Sequence, residues 1–257
     1  MPALPPSDLA GPPPAGTPVP RPIAALAEHH PVELVWQNVY GGITARVELL
    51  DAPVYAKWNP AGSPESLRDE AERMRWLAAA GPSRPAERPG AVPVPRVLEL
   101  REDAAGELLV TSALDGASIV SAAGLRDPER AAAALGEGLR RLHALPVASC
   151  PFPAPDWTAS AITGLEAGGP RELVVCHGDP CAPNALLRDG GFAGLVDLGR
   201  VGVGERWSDL AIASWSLEWN GLADAEPAFW RAYGVEPDPA RVGPWRARWD
   251  APGAAAG

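Results

Sequence analysis

Cysteine is scarce in this chain: Cys150, Cys176 and Cys181 are the only three in 257 residues. Their number and irregular spacing exclude a disulfide framework, and Cys176 and Cys181 with His177 lack the paired spacing of a zinc site. The thiols therefore read as reduced and structural. Long apolar runs are missing too. No stretch reaches the roughly 18 to 20 apolar residues that cross a bilayer. The opening MPALPPSDLAGPPPAGTPVPRP has neither the basic start nor the apolar run of a secretory signal. A cytoplasmic protein with no membrane partner is expected. An excess of positive charge is also absent. A net charge of -10 argues against a nucleic-acid partner and favours a cationic small molecule. Lysine is rarest of all: Lys57 is the only one among 22 basic residues.

What is present suits a folded protein, since 46% apolar residues and ten tryptophans are enough for a buried core. Residues 1–22 are rich in proline and poor in large apolar side chains, so a disordered leader is expected there. From Val32 the pattern turns to short β-type runs, VELVWQNV, ITARVELL and APVYAKW. A helix follows in SPESLRDEAERMRWLAAAG, with Ser63 as cap, Pro64 at the first helical position and Gly81 as stop. VPVPRVLEL and ELLVTSALDG read as two further strands. The second half is more helical. Asp127-Pro128 opens a helix with Leu135, Leu139 and Leu142 on one face. ELVVC is a short strand, and ALLRDGGFAGLVDL reads as a hairpin turning at Asp189 to Gly191. Ser208 is expected to cap a helix towards Trp219, and another helix spans Pro227 to Tyr233. The expected fold is α+β in two lobes: an N-terminal lobe over 23–114 and a C-terminal lobe over 115–257.

Several residues stand out chemically. Glu70 lies beside the apolar stripe of Leu67, Ala71, Met74 and Ala78 on the first long helix, and a carboxylate there needs a partner. The sole lysine, on the preceding strand, is the economical one; solvent at the edge of the stripe is the alternative. Gly41-Gly42 between two strands fits a tight hairpin turn, or a loop whose amides cover phosphates while Lys57 reaches their oxygens and Thr44 adds a hydroxyl. The strongest signal is CHGDPCAPN followed by GLVDLG. His177, Asp179 and Asn184 have the spacing HxDxxxxN of kinase catalytic loops, in which the Asp takes the acceptor's proton and the Asn binds a metal. Asp197 ends an apolar strand where such enzymes place a magnesium ligand. His177 is expected to orient the loop by hydrogen bonding. Asp209 is expected only to support a helix start.

With these residues the chain resembles the aminoglycoside phosphotransferase family, in particular the 3'-phosphotransferases that inactivate kanamycin and neomycin. The resemblance runs from about Glu33 to Asp250 and rests on CHGDPCAPN, GLVDLGRVGVGERWSDLA and DEAERMRWL. It implies a two-lobed protein-kinase-like fold and ATP as phosphoryl donor. It assigns Lys57, held by Glu70, to the nucleotide phosphates, Asp179 as catalytic base, and Asn184 with Asp197 as Mg2+ ligands. It implies backbone contacts to adenine around Thr111 to Leu114, and fold roles for Arg200 and Arg206. Two departures stand against the family pattern. The acidic stretch that grips the antibiotic's amino groups is short here, CPFPAPDWTASAITGLEAGGPREL, with Asp156 and Glu166 its only carboxylates before Glu172. The C-terminal segment is replaced by RVGPWRARWDAPGAAAG. The expected activity is phosphorylation of a hydroxyl on a small acceptor, with an aminoglycoside first; a metabolite kinase of the same fold and a nucleotide-binding regulator without turnover are the alternatives.

Overall fold

The computed structural model describes residues 10–80, 92–158 and 172–250, which divide into two units: residues up to Arg75 with Pro95–Ala113, and Trp76–Val94 with Leu114 onwards. Gly81 and Glu166 lie outside the described residues.

The first unit is built on a five-stranded antiparallel sheet in the order β1-β2-β3-β5-β4. Its strands are β1 (Val32–Gln37), β2 (Ile43–Glu48), β3 (Pro53–Pro60), β4 (Val97–Asp103) and β5 (Gly106–Ser112). Successive side chains point to opposite faces of a strand. On one face Ile43, Ala45, Val47, Val54, Ala56, Leu108 and Val110 form a buried core with Ile23 and Ala27 of helix α1 (Arg21–Ala27). The other face presents Leu109, which packs with Leu67 and Ala71 of helix α2 (Leu67–Ala80). Residues 10–22 differ from the expected disordered leader. Gly11 pairs with Gln37 at the sheet edge, and the proline-rich stretch runs straight into α1, whose Ile23 is fully buried. Proline fits the first turn of a helix because its missing N–H has no intrahelical partner to lose.

Helix α2 starts later than expected. Ser63 and Pro64 precede it, Ser63 Oγ accepting from Glu65 N at 3.2 Å, while Ser66 Oγ accepts from Asp69 N at 3.2 Å. Two serines three residues apart offered the same capping signal, and the one adjoining Leu67 is used.

In the second unit, helix α3 (Pro128–His143) is capped by Asp127 as expected and buries Leu135, Leu139 and Leu142. It packs on helix α5 (Glu226–Tyr233), and Gly136 permits the approach, since a Cβ there would meet the backbone oxygen of Phe229. β6 (Ala117–Ser118), β8 (Ala185–Arg188) and β9 (Gly191–Leu195) form one small sheet; β7 (Leu173–Cys176) and β10 (Gly202–Glu205) pair antiparallel in another. The β8–β9 hairpin turns at Asp189 and Gly190, both at positive φ. Helix α4 (Arg206–Trp219) begins two residues before the expected cap. Glu205 is its N-cap, accepting from Trp207 N at 2.7 Å, and Ser208 Oγ instead donates back to Glu205 O at 2.7 Å. Helix α6 (Pro239–Trp249), which the periodicity did not disclose, is capped by Asp238 and packs on α4.

Candidate active site

Strand geometry explains Lys57. It follows the core-facing Val54 and Ala56, so its side chain leaves by the opposite face, where its register partner is Leu109 and α2 lies. There Lys57 Nζ sits 2.7 Å from Glu70 Oε1. Glu70 is only 4% exposed, so the solvent alternative for this carboxylate does not hold. Thr44 is the register partner of Lys57 on β2 and is half-buried.

The Gly41-Gly42 turn is bonded inward. Asn38 Oδ1 accepts from Tyr40 N at 3.1 Å and Gly42 N at 2.6 Å, and Gly41 N donates to Asn38 O at 3.2 Å. The amides expected to cover phosphates are thus engaged within the turn. Glycine is required at both positions: Gly41 has φ +83°, and a Cβ on Gly42 would meet the side chains of Asn59 and Asn38. Thr111 is buried in β5 between register partners Tyr55 and Val97. Leu114 follows two residues beyond β5 and is half-buried.

In the second unit four backbone and side-chain bonds bring the acidic and amide residues of the two motifs together. Asp179 N donates to His177 Nδ1 at 3.3 Å, and His177 Nε2 lies 3.1 Å from the oxygen of Val196, the residue before Asp197. With Nδ1 accepting, Nε2 carries the proton, and the neutral ring bridges the two segments. Val196 N returns a bond to Asn184 O at 3.0 Å, and Asn184 Nδ2 donates to Asp179 O at 3.1 Å. His177, fully buried, therefore has the orienting place expected of it.

Asp179 Oδ1 is buried without a hydrogen-bond partner among the described residues, an acceptor whose desolvation is offset only when a donor arrives. Asn184 commits its amide nitrogen, which leaves its carbonyl oxygen able to take a cation; Asp197 is exposed and held at φ +60°, a backbone state costly for a non-glycine residue and common at functional sites. One amide oxygen and one carboxylate are the hard ligands magnesium takes, and the pair fits that ion. Cys181 lies beside Asp179: burial first, then the Asp179 charge, pushes its thiol well above the ordinary range. It is no nucleophile there.

Asp209 stands in the first turn of α4, as expected, but its bonds reach well beyond the helix start. It is fully buried, and its carboxylate accepts from His177 N at 2.6 Å and Gly178 N at 3.1 Å, with His143 Nε2 at 3.0 Å. His143 Nδ1 in turn meets Tyr233 Oη at 2.8 Å. The helix-start role assigned to it needed only local geometry, whereas its partners come from the loop after β7 and from α3, with Tyr233 of α5 behind His143. Ser216 adds another support, its Oγ accepting from Ala182 N at 2.9 Å.

The chain matches the phosphotransferase enzyme family over residues 40–161 and 155–245. It is 34% identical over 235 residues to the streptomycin 3''-kinase of Streptomyces griseus, a span covering 75% of this chain and 82% of that one. It is 32% identical over 243 residues to an aminoglycoside 3'-phosphotransferase of Streptomyces ribosidificus, covering 80% and 86%. In fold it is similar to the crystal structure of an aminoglycoside 3'-phosphotransferase of type VIII, with a TM-score of 0.70 at 28% identity and coverage of 88% and 96%. An aminoglycoside phosphotransferase of Streptomyces rimosus in complex with ADP and streptomycin is also similar, with a TM-score of 0.60 at 27% identity and coverage of 80% and 88%. By sequence match and by its α+β architecture, this chain is a member of the phosphotransferase enzyme family, the family of the aminoglycoside phosphotransferases.

Proposed function

We propose that the protein is an ATP- and magnesium-dependent phosphotransferase that phosphorylates a hydroxyl group of an aminoglycoside antibiotic. The observation that carries the reading is the bonded assembly of Asp179, Asn184 and the Asp197 segment, with an unsatisfied buried oxygen on Asp179. Asp179 Oδ1 accepts the proton of the acceptor hydroxyl as that oxygen bonds to the γ-phosphorus and ADP leaves. Asn184 and Asp197 would hold Mg2+, which would supply neutralisation of the charge on the phosphates. Lys57, paired with Glu70, offsets charge on the phosphate oxygens. Adenine would meet the connection from Thr111 to Leu114 through groups other than the Ser112 and Ala113 amides, which are bonded to Arg96 O and Pro53 O. With the Gly41-Gly42 amides engaged in their own turn, Lys57 is the main contact of the first unit with phosphate.

The relatives differ in the hydroxyl they are named for. The 3'-hydroxyl of kanamycin or neomycin is the first acceptor to test, and the 3''-hydroxyl of streptomycin is the second, favoured by the 34% identity to a streptomycin 3''-kinase. Purified protein with ATP, Mg2+ and each antibiotic should yield a product heavier by one phosphate group, which fragmentation assigns to a hydroxyl. No mass gain on any of the three, with ATP still bound, would sink the aminoglycoside reading and favour a metabolite acceptor.

A further inference from the structure

We propose that Trp157 is a positioning residue for Asp179, acting through the carbonyl of Gly178; this rests on Asp179 being the base of the proposed reaction. Trp157 lies at the start of the shortened stretch before β7. Its ring is buried, and its single polar atom, Nε1–H, donates to Gly178 O at 2.8 Å. That carbonyl belongs to the peptide group that leads into Asp179. The N–H of the same peptide group donates to His177 Nδ1, and the preceding amide, Gly178 N–H, goes to Asp209 Oδ1. The peptide is therefore held on both edges, its N–H by His177 and its carbonyl by Trp157.

The glycine itself leaves little freedom. Gly178 has φ +82°, and a Cβ would meet the backbone oxygen and Cβ of Arg200 and the ring of Pro155. A small rotation of this peptide would swing the Asp179 side chain, because the two share a Cα. The tryptophan is fixed in turn by α6. Trp249 and Trp245 meet its ring edge-on at centroid distances of 5.0 and 5.9 Å, both at 88°, and Arg248 Nε donates to its backbone oxygen. The divergent C-terminal segment thus serves the catalytic loop, because its helix clamps the indole whose N–H sets the catalytic peptide. A packing role needs only the ring, whereas this role needs the N–H.

The test replaces Trp157 with 3-benzothienylalanine, which keeps the ring shape and lacks the N–H, alongside Trp157→Phe. Phosphate transfer to streptomycin and kanamycin and amide hydrogen exchange over residues 174–187 are measured well below the melting temperature. With the isostere, kcat is expected to fall roughly tenfold or more while KM for ATP stays within about twofold. Exchange of the Gly178 and Asp179 amides is expected to rise roughly tenfold or more. A kcat within twofold of wild type, or unchanged exchange at these amides, overturns the proposal. If the wild type phosphorylates no acceptor, the proposed function fails on that result, and exchange alone decides whether the indole holds the peptide.

Discussion

Glu70 and Asp209 are both buried carboxylates, and each is tolerated for a different reason. Glu70 faces a lysine ammonium at 2.7 Å, whereas Asp209 is met by two backbone amides and an imidazole. The first arrangement holds a cation, which the proposed reaction uses on the nucleotide; the second holds a loop. Glu70→Gln should therefore leave the fold intact and weaken ATP binding about tenfold, the equivalent of losing one charge-assisted hydrogen bond. Isothermal titration with ATP and Mg2+ reads this directly, and an unchanged affinity would remove Glu70 from the nucleotide site. Asp209→Ala strands the His177 and Gly178 amides in a dry environment. It should cost about 3 kcal/mol or more in urea unfolding, with turnover lost in whatever folded protein remains. A variant as stable as wild type would mean that water replaces the carboxylate there.

At the scale of elements, the N-terminus of α4 combines a cap with a buried charge. Burial is the main cause that raises the Glu205 carboxyl above its usual range, against the lowering effects of the Trp207 and Glu172 amides and of Arg241; the Glu172 charge adds to the rise. The sign follows from linkage. A raised folded-state value means that the stability from this group is full at low pH and is lost as pH rises through that value. Glu205→Gln keeps an acceptor for Trp207 N and removes the desolvated charge. It should raise the melting temperature at neutral pH, and the gain should shrink as the solution is made acidic. A gain that grows with acidity would contradict the sign.

The same scale shows why some of the site was legible in the sequence. Asp179, Asn184 and Asp197 stand in short motifs whose spacing reflects the local backbone of one loop or one strand end, so finding them needed no tertiary information, and Lys57 stood out as the sole lysine. Asp209 and Trp157 act on the catalytic loop from 31 and 21 residues away, and nothing local marks either one. Boundaries slipped where a second residue offered equivalent chemistry: Ser66 for Ser63, and Glu205 for Ser208. Helix α6 was hidden by Pro244 in its interior and by arginines on its surface; its buried residues, Val242 and Trp245, stand three apart. The sheet strands were plain because β2 alternates buried and half-buried residues at every step.

For the whole molecule, the division of labour follows the chain. The first unit carries the Lys57–Glu70 ion pair, and the second carries Asp179, Asn184, Asp197 and the buried Asp209 network, to which the proposed reaction assigns the base and the magnesium ligands. Such an arrangement catalyses by positioning and charge stabilisation, so removing the base should leave nucleotide binding alone. The most direct measurement is steady-state phosphate transfer to the accepted antibiotic by Asp179→Asn, paired with ATP affinity by titration. The account predicts a kcat lower by about 10² to 10⁴ with ATP affinity within about threefold of wild type. A variant that turns over as fast as wild type would contradict the assignment of Asp179 as the base, and with it the reading of this site.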